Sequence, residues 1–199
     1  MTQILATIKG VQVFQEDDGR VHWTSGAAVD ADGANGQGGG LFAYRADNLG
    51  LDNNANAGYP NGSWRDVLID DGSGKPLDDG SGNWYSQTTY CWSGRLPPTK
   101  YVSSTEVPYV VVNPKVRAKA VGVVIGCKAR VTYKENSIIA VVADVSGPGD
   151  IGELSIAAAQ ALGIPESPRS GGVSDGVQFE LWTDSKVTID GITYELQPA

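Results

Sequence analysis

The 199-residue chain is poor in several residue types that common chemistries require. It holds one histidine (His22), two cysteines (Cys91 and Cys127), one methionine and three phenylalanines. One His and two Cys are too few for a zinc site. Two thiols make no disulfide framework: they form at most one bridge, and Cys127 in the strand-like "VVIGCKARVTY" reads equally well as a buried free thiol. Cations are scarce, with 15 Lys and Arg against 23 Asp and Glu, a formal charge of −8. That argues against a duplex nucleic-acid binder, which needs basic residues to displace counterions; it suits a cationic ligand, and it is equally the balance of many ordinary soluble proteins. No apolar run reaches membrane-spanning length, so no membrane partner is expected. The opening "MTQILATIKGVQVF" has neither a basic region before an apolar core nor a small-residue cleavage site. The expected location is therefore cytosolic, released by lysis or a non-standard route, or secreted with the leader already missing.

What is abundant is turn chemistry. Twenty-six glycines and ten prolines predict many turns and little helix. "QILATIKGVQVF" (3–14) reads as a strand pair, "EDDG" (16–19) as a hairpin turn and "RVHWTSGAAVD" (20–30) as the next strand. From 41 to 82 the chain is loop-like, and "DDGSG" occurs at 70–74 and again at 78–82 as two polar turns. "NWYSQTTYCW" (83–92) is β-prone and "YVSSTEVPYVVVNP" (101–114) ends in a strand. Residues 119–145 read as two strands around "YKENS", and 176–198 as closing strands with turns at "TDSK" and "DG". "ELSIAAAQALG" (153–163) is the one helix, stopped by Gly163 and Pro165. The expectation is one strand-dominated domain over 1–199, a barrel with a helix packed at its end.

Several motifs fail on context. "GVSDG" (172–176) matches G-x-S-x-G, but a loop precedes it and a strand follows, so it is no nucleophile elbow. "DADGANG" (30–36) lacks the closing Glu and flanking helices of a calcium hand. "GQGGG" has no following Lys-Ser/Thr and no helix, so it is no phosphate loop. Asp30 and Asp32 remain as two carboxylates at a strand end, either a solvated turn or a functional pair. Trp64, Trp84 and Trp92 fall in the polar, Gly-rich part, where sugar-stacking platforms and simple core filling are both open.

The most informative stretch is "VVADVSGPGDIGELSIAAAQALGIP" (141–165). Asp144 ends a buried strand, a Gly/Pro turn follows, and Glu153 stands at the expected first turn of the helix, where the dipole favours its ionised form. Carboxylate pairs facing a cleft are the machinery of glycoside hydrolysis. Residue types alone also allow a plain turn anchor and a plain helix-start acid.

This stretch resembles the double-psi β-barrel signature, in which an Asp-x-Gly-Pro turn precedes an acid-Leu-Ser and an alanine-rich helix. With "WTSGAAVDADGA" (23–34), "GKPLDD" (74–79) and "STEVPYVVVNP" (104–114), it is similar to glycoside hydrolase family 75, the chitosanases. The resemblance runs in order from Trp23 to Ile164. It departs in the extra residue of "DVSGP" and in the insert "NWYSQTTYCWSGRLPPTK". It implies a six-stranded double-psi-like barrel with long loops and one short helix after the catalytic turn. It also implies an inverting endo-hydrolase of β-1,4 bonds in chitosan, with Asp144 and Glu153 as the catalytic acids. Glu153 is then the proton donor and Asp144 the base. Asp30 and Asp32 become the alternative base or, with Trp84 and Tyr109, substrate-binding residues. No metal or cofactor is implied, the partner is an aminosugar polysaccharide, and a monomer is expected. The alternatives are a peptidoglycan-cleaving muramidase or lytic enzyme of phage or effector origin, and a non-catalytic glycan-binding barrel.

Overall fold

The computed structural model describes residues 2–37, 47, 49–50, 59–122 and 124–198. Part of the loop-like stretch from 41 to 82 therefore lies outside the described residues. The chain opens with a hairpin of β1 (Gln3–Ile8) and β2 (Val11–Gln15), turned at Lys9 and Gly10, both with positive φ. The "EDDG" turn leads into β3 (Arg20–Asp30). Later come β4 (Asn35–Gln37), β5 (Asn83–Tyr85), β6 (Tyr109–Val112), β7 (Cys127–Tyr133), β8 (Asn136–Val145), β9 (Glu153–Ser155), β10 (Val173–Ile189) and β11 (Ile192–Tyr194).

Strands pair in the order β3-β9-β6-β8-β7-β10, and β10 pairs back onto β3, which closes a six-stranded barrel. The expected barrel is borne out. Its interior is set by alternation. Val21, Trp23, Ala27 and Val29 of β3 are buried, as are Val177, Phe179 and Leu181 of β10. Trp23 stacks on its ladder partner Phe179, ring centroids 5.0 Å apart. On β8 the run Ala140–Asp144 is buried without alternation, because the barrel covers one face and loops or helix the other.

Two short helices follow strands. Asn113 caps α1 (Pro114–Lys119), its side chain accepting from Lys115 N, and proline stands at the first turn, where its missing N–H costs nothing. This helix was not expected from the sequence. In α2 (Ile156–Leu162), Ser155 is the cap, Gly163 ends the helix at φ 70°, and Ile156, Ala158, Ala159 and Leu162 are buried.

Three expectations need correction. Glu153 is not in the first helical turn: it lies in β9, since Glu153 and Leu154 are held by β3 and β6 on either side. "TDSK" is no turn. β10 runs through it, with Asp184 at φ 60° absorbing a register shift between Trp182 and Lys186. Of "NWYSQTTYCW" only Asn83–Tyr85 is a strand; the rest is pinned by isolated bridges and side-chain bonds. Ser174 of "GVSDG" lies in β10, as its exclusion requires. The two "DDGSG" copies fold alike: Asp70 Oδ1 accepts from Gly72 and Gly74 N–H, and Asp78 Oδ1 from Gly80 and Gly82 N–H. Trp64 is buried with Leu68 in a satellite cluster, not displayed as a platform. Cys91 and Cys127 are both free thiols.

Candidate active site

The site is built on one row of the barrel wall. Ala28 pairs with Glu153, Glu153 with Val111, and Val111 with Asp144, across β3, β9, β6 and β8. Ladder partners point to the same face. Glu153 and Asp144 therefore stand on one face with a single strand between them, their Cα atoms two strand spacings, about 10 Å, apart. The neighbouring row, Val29, Leu154, Val110 and Val142, points into the barrel core.

Asp144 reaches this face through a bulge. Val110 pairs with Val142 but Val111 pairs with Asp144, so Ala143 and Asp144 together oppose one residue of β6. Strict alternation from Ala140 and Val142 would turn Asp144 into the apolar core. The extra residue re-aims it.

The chain from 86 to 106 roofs the Asp144 end. Asp144 is 6% exposed. Its Oδ1 accepts from Thr89 Oγ1 at 2.7 Å, Val145 N at 2.8 Å and Thr89 N at 3.0 Å. Burial pushes its carboxyl above the ordinary value, and these donors, with a hydrogen bond to Asp32, offset part of the rise. Asp30 is buried and accepts from the Tyr109 hydroxyl at Oδ2, 3.0 Å away; the same hydroxyl lies 3.0 Å from the Asp32 carbonyl oxygen. The Tyr109 ring is fully buried. Burial, and then the carboxylates of Asp30, Asp144 and Asp32, hold its phenol well above its usual range. One oxygen from each of Asp30, Asp32 and Asp144 lies within 4.8 Å of the other two. Three carboxylates so close need a shared proton or a hard cation to coexist.

Glu153 is half-buried and lines an open cleft of about 420 Å³ with Lys9, Ala28, Asp150 and Gly172. Lys9 bonds Asp150 at 2.7 Å, and that bond, with the charge of Asp150 and a smaller pull from Glu153, raises its pKa. Asn113 holds the intervening turn through Nδ2, which donates to the Asp150 carbonyl at 2.7 Å. Gly152, at φ 81°, has no room for a side chain: a Cβ would stand 2.2 Å from the Gly26 carbonyl.

The structure thus gathers Asp30, Asp32, Asp144 and Tyr109, and places Glu153 one strand away on the same face. Tyr109 is no substrate contact, because its ring is closed off; it holds Asp30 and the turn after it. Trp84 is not part of this group. It packs edge-on against Tyr59, 5.0 Å between centroids, in another cleft with Asp71 and Asp78. Thr89 and Ser104 were missed. Ser104 Oγ donates to the Asp30 carbonyl and accepts from Ile156 N, tying β3 to α2. Neither sits in a motif, and only the fold brings them here.

No protein-family model matches the chain, and no curated protein matches it.

Proposed function

We propose that this protein is an inverting endo-glycoside hydrolase acting on chitosan. The observation that carries the reading is the row Glu153–Val111–Asp144: two carboxyl side chains on one face, their backbones about 10 Å apart. Inverting hydrolysis needs carboxyl groups ~6.5–9.5 Å apart, so that a water fits between base and sugar, whereas retaining enzymes bring them to ~5–5.5 Å. A strand between the two acids favours the wider class.

In this mechanism Glu153, open to the cleft, donates its proton to the leaving glycosidic oxygen as the C–O bond breaks. Water attacks the anomeric carbon from the opposite face and gives its proton to Asp144. Asp144 accepts only when ionised, so activity falls as pH drops through its raised pKa. Asp32 shares the proton load, and Tyr109 and Thr89 fix the two aspartates in place. The formal charge of −8 favours a polycationic glucosamine chain.

The test is reducing-end release from chitosan, chitin and peptidoglycan by wild type, D144N and E153Q. Products from chitosan alone, lost in both variants, support the reading. Products from peptidoglycan alone move the substrate to the cell wall, and no products from any glycan refute hydrolysis.

A further inference from the structure

A second cleft, of about 450 Å³, lies beyond the carboxylates, between the 33–35 loop and the chain from 85 to 107. Val107 on its wall is four residues from Val111, so the cleft lies at most about 14 Å along the chain from the row of acids. The insert "NWYSQTTYCWSGRLPPTK" supplies one wall of it, with Tyr85, Trp92, Arg95, Pro98 and Thr99.

Its walls are aromatic and its edges polar. Tyr85, Trp92, Tyr101 and Tyr194 line it. Trp92 is held edge-on to Tyr90 and tilted against Tyr194, 5.4 Å from each, and the Arg95 guanidinium lies 3.9 Å over its ring. Among the described residues, Tyr85 and Tyr101 stack on no other ring. Thr99, Ser103 and Thr105 line the same space; the Thr99 hydroxyl donates to the Leu96 carbonyl, and those of Ser103 and Thr105 bond each other, which leaves oxygen lone pairs to accept from a ligand. The backbone is fixed in advance: Gln197 bonds Cys91 through both N–H and carbonyl, and Gly33 packs so closely on Val102 that a Cβ would stand 1.7 Å from its carbonyl. Glu106, exposed at the rim, makes no ion pair among the described residues, and the Arg95 guanidinium lies over the indole.

Apolar ring faces flanked by hydroxyls suit a pyranose, which has apolar faces and polar edges. We propose that this cleft is a second saccharide-binding site, which holds a distal part of an aminosugar chain, with Glu106 meeting its ammonium groups. Binding of a saccharide here stands on the cleft itself. The choice of an aminosugar rests on the chitosan reading.

The test is titration of isotope-labelled D144N protein with glucosamine tetramer, following the Trp92 indole N–H and the amides of 99–106 by NMR. The expected result is saturable shifts there, with affinity lowered up to about tenfold in Y101A and in E106Q. E106Q is exposed and leaves the packing untouched, so it stays informative if Y101A unfolds. Absence of shifts at Trp92 overturns the proposal even if the wild type hydrolyses chitosan. Equal affinity for neutral cello-oligomers overturns the role of Glu106. Shifts at Trp92 in a protein that hydrolyses no glycan would keep the cleft and refute the hydrolase.

Discussion

Replacing Asp144 by Asn separates a catalytic carboxylate from a turn anchor through stability. Asn keeps an oxygen for Thr89 Oγ1, Thr89 N and Val145 N. Each bond weakens from charge-assisted to neutral, about 1 kcal/mol apiece and about 3 kcal/mol together. Against this, the variant no longer buries an ion, which costs roughly several kcal/mol, and its amide keeps a hydrogen-bonding group beside Asp32. Burial outweighs the bonds in wild type, which is the direction the raised pKa records, and several kcal/mol of burial less about 3 kcal/mol of bonding leaves a net stabilisation of about 1–2 kcal/mol at neutral pH. At about 2–4 °C per kcal/mol for a chain of this size, Tm rises by roughly 2–8 °C. The pH dependence has a definite sign. Asp144 binds its proton more readily folded than unfolded, so wild-type stability falls as pH rises from the ordinary 3.8 through the raised folded value. The gain in D144N should therefore open across that window and vanish in stronger acid. Thermal melts of both proteins over a pH series measure it. A Tm lowered at neutral pH would show that the ionised carboxylate holds the fold, and would refute the argument.

Other expectations follow from single contacts. S155A removes an oxygen that accepts from Tyr109 N and Ala158 N and donates to Val107 O; it should cost about 2–4 kcal/mol by denaturant unfolding. Burial alone would raise the Glu180 pKa, but bonds from Arg130 and Arg20 outweigh it and lower it. Its stabilisation is thus present above the ordinary 4.5 and is lost as pH falls below it, and E180Q should cost about 1 kcal/mol at neutral pH and nothing in acid melts. Burial pushes the Cys127 thiol up to about 12, so a thiol reagent should modify Cys91 in the folded protein and Cys127 only after denaturation, read by peptide mass mapping.

The barrel was legible wherever local signals agreed. Alternation marked β3 to the residue, and aspartate–glycine turns marked the hairpins at 16–19 and 190–191. Glu153 was misplaced because the alanine-rich run invited a helix start one turn too early; only pairing with β3 and β6 makes 153–155 a strand. The bulge at Ala143 carries no sequence signal, yet it decides which way Asp144 points. The same holds for Thr89. Its role depends on a loop folding back over β8, a contact 55 residues apart in the chain. Tyr109 stood in a legible strand, but its burial came from neighbours that no local pattern names.

The most direct test of the account is the anomeric form of the first product released from a β-1,4-linked glucosamine oligomer, followed by proton NMR before mutarotation. Two carboxylates separated by a strand predict the α-anomer first, with E153Q and D144N releasing none. A β-anomer first, or a wild type that releases nothing, would contradict the assignment of Asp144 and Glu153 as an inverting pair.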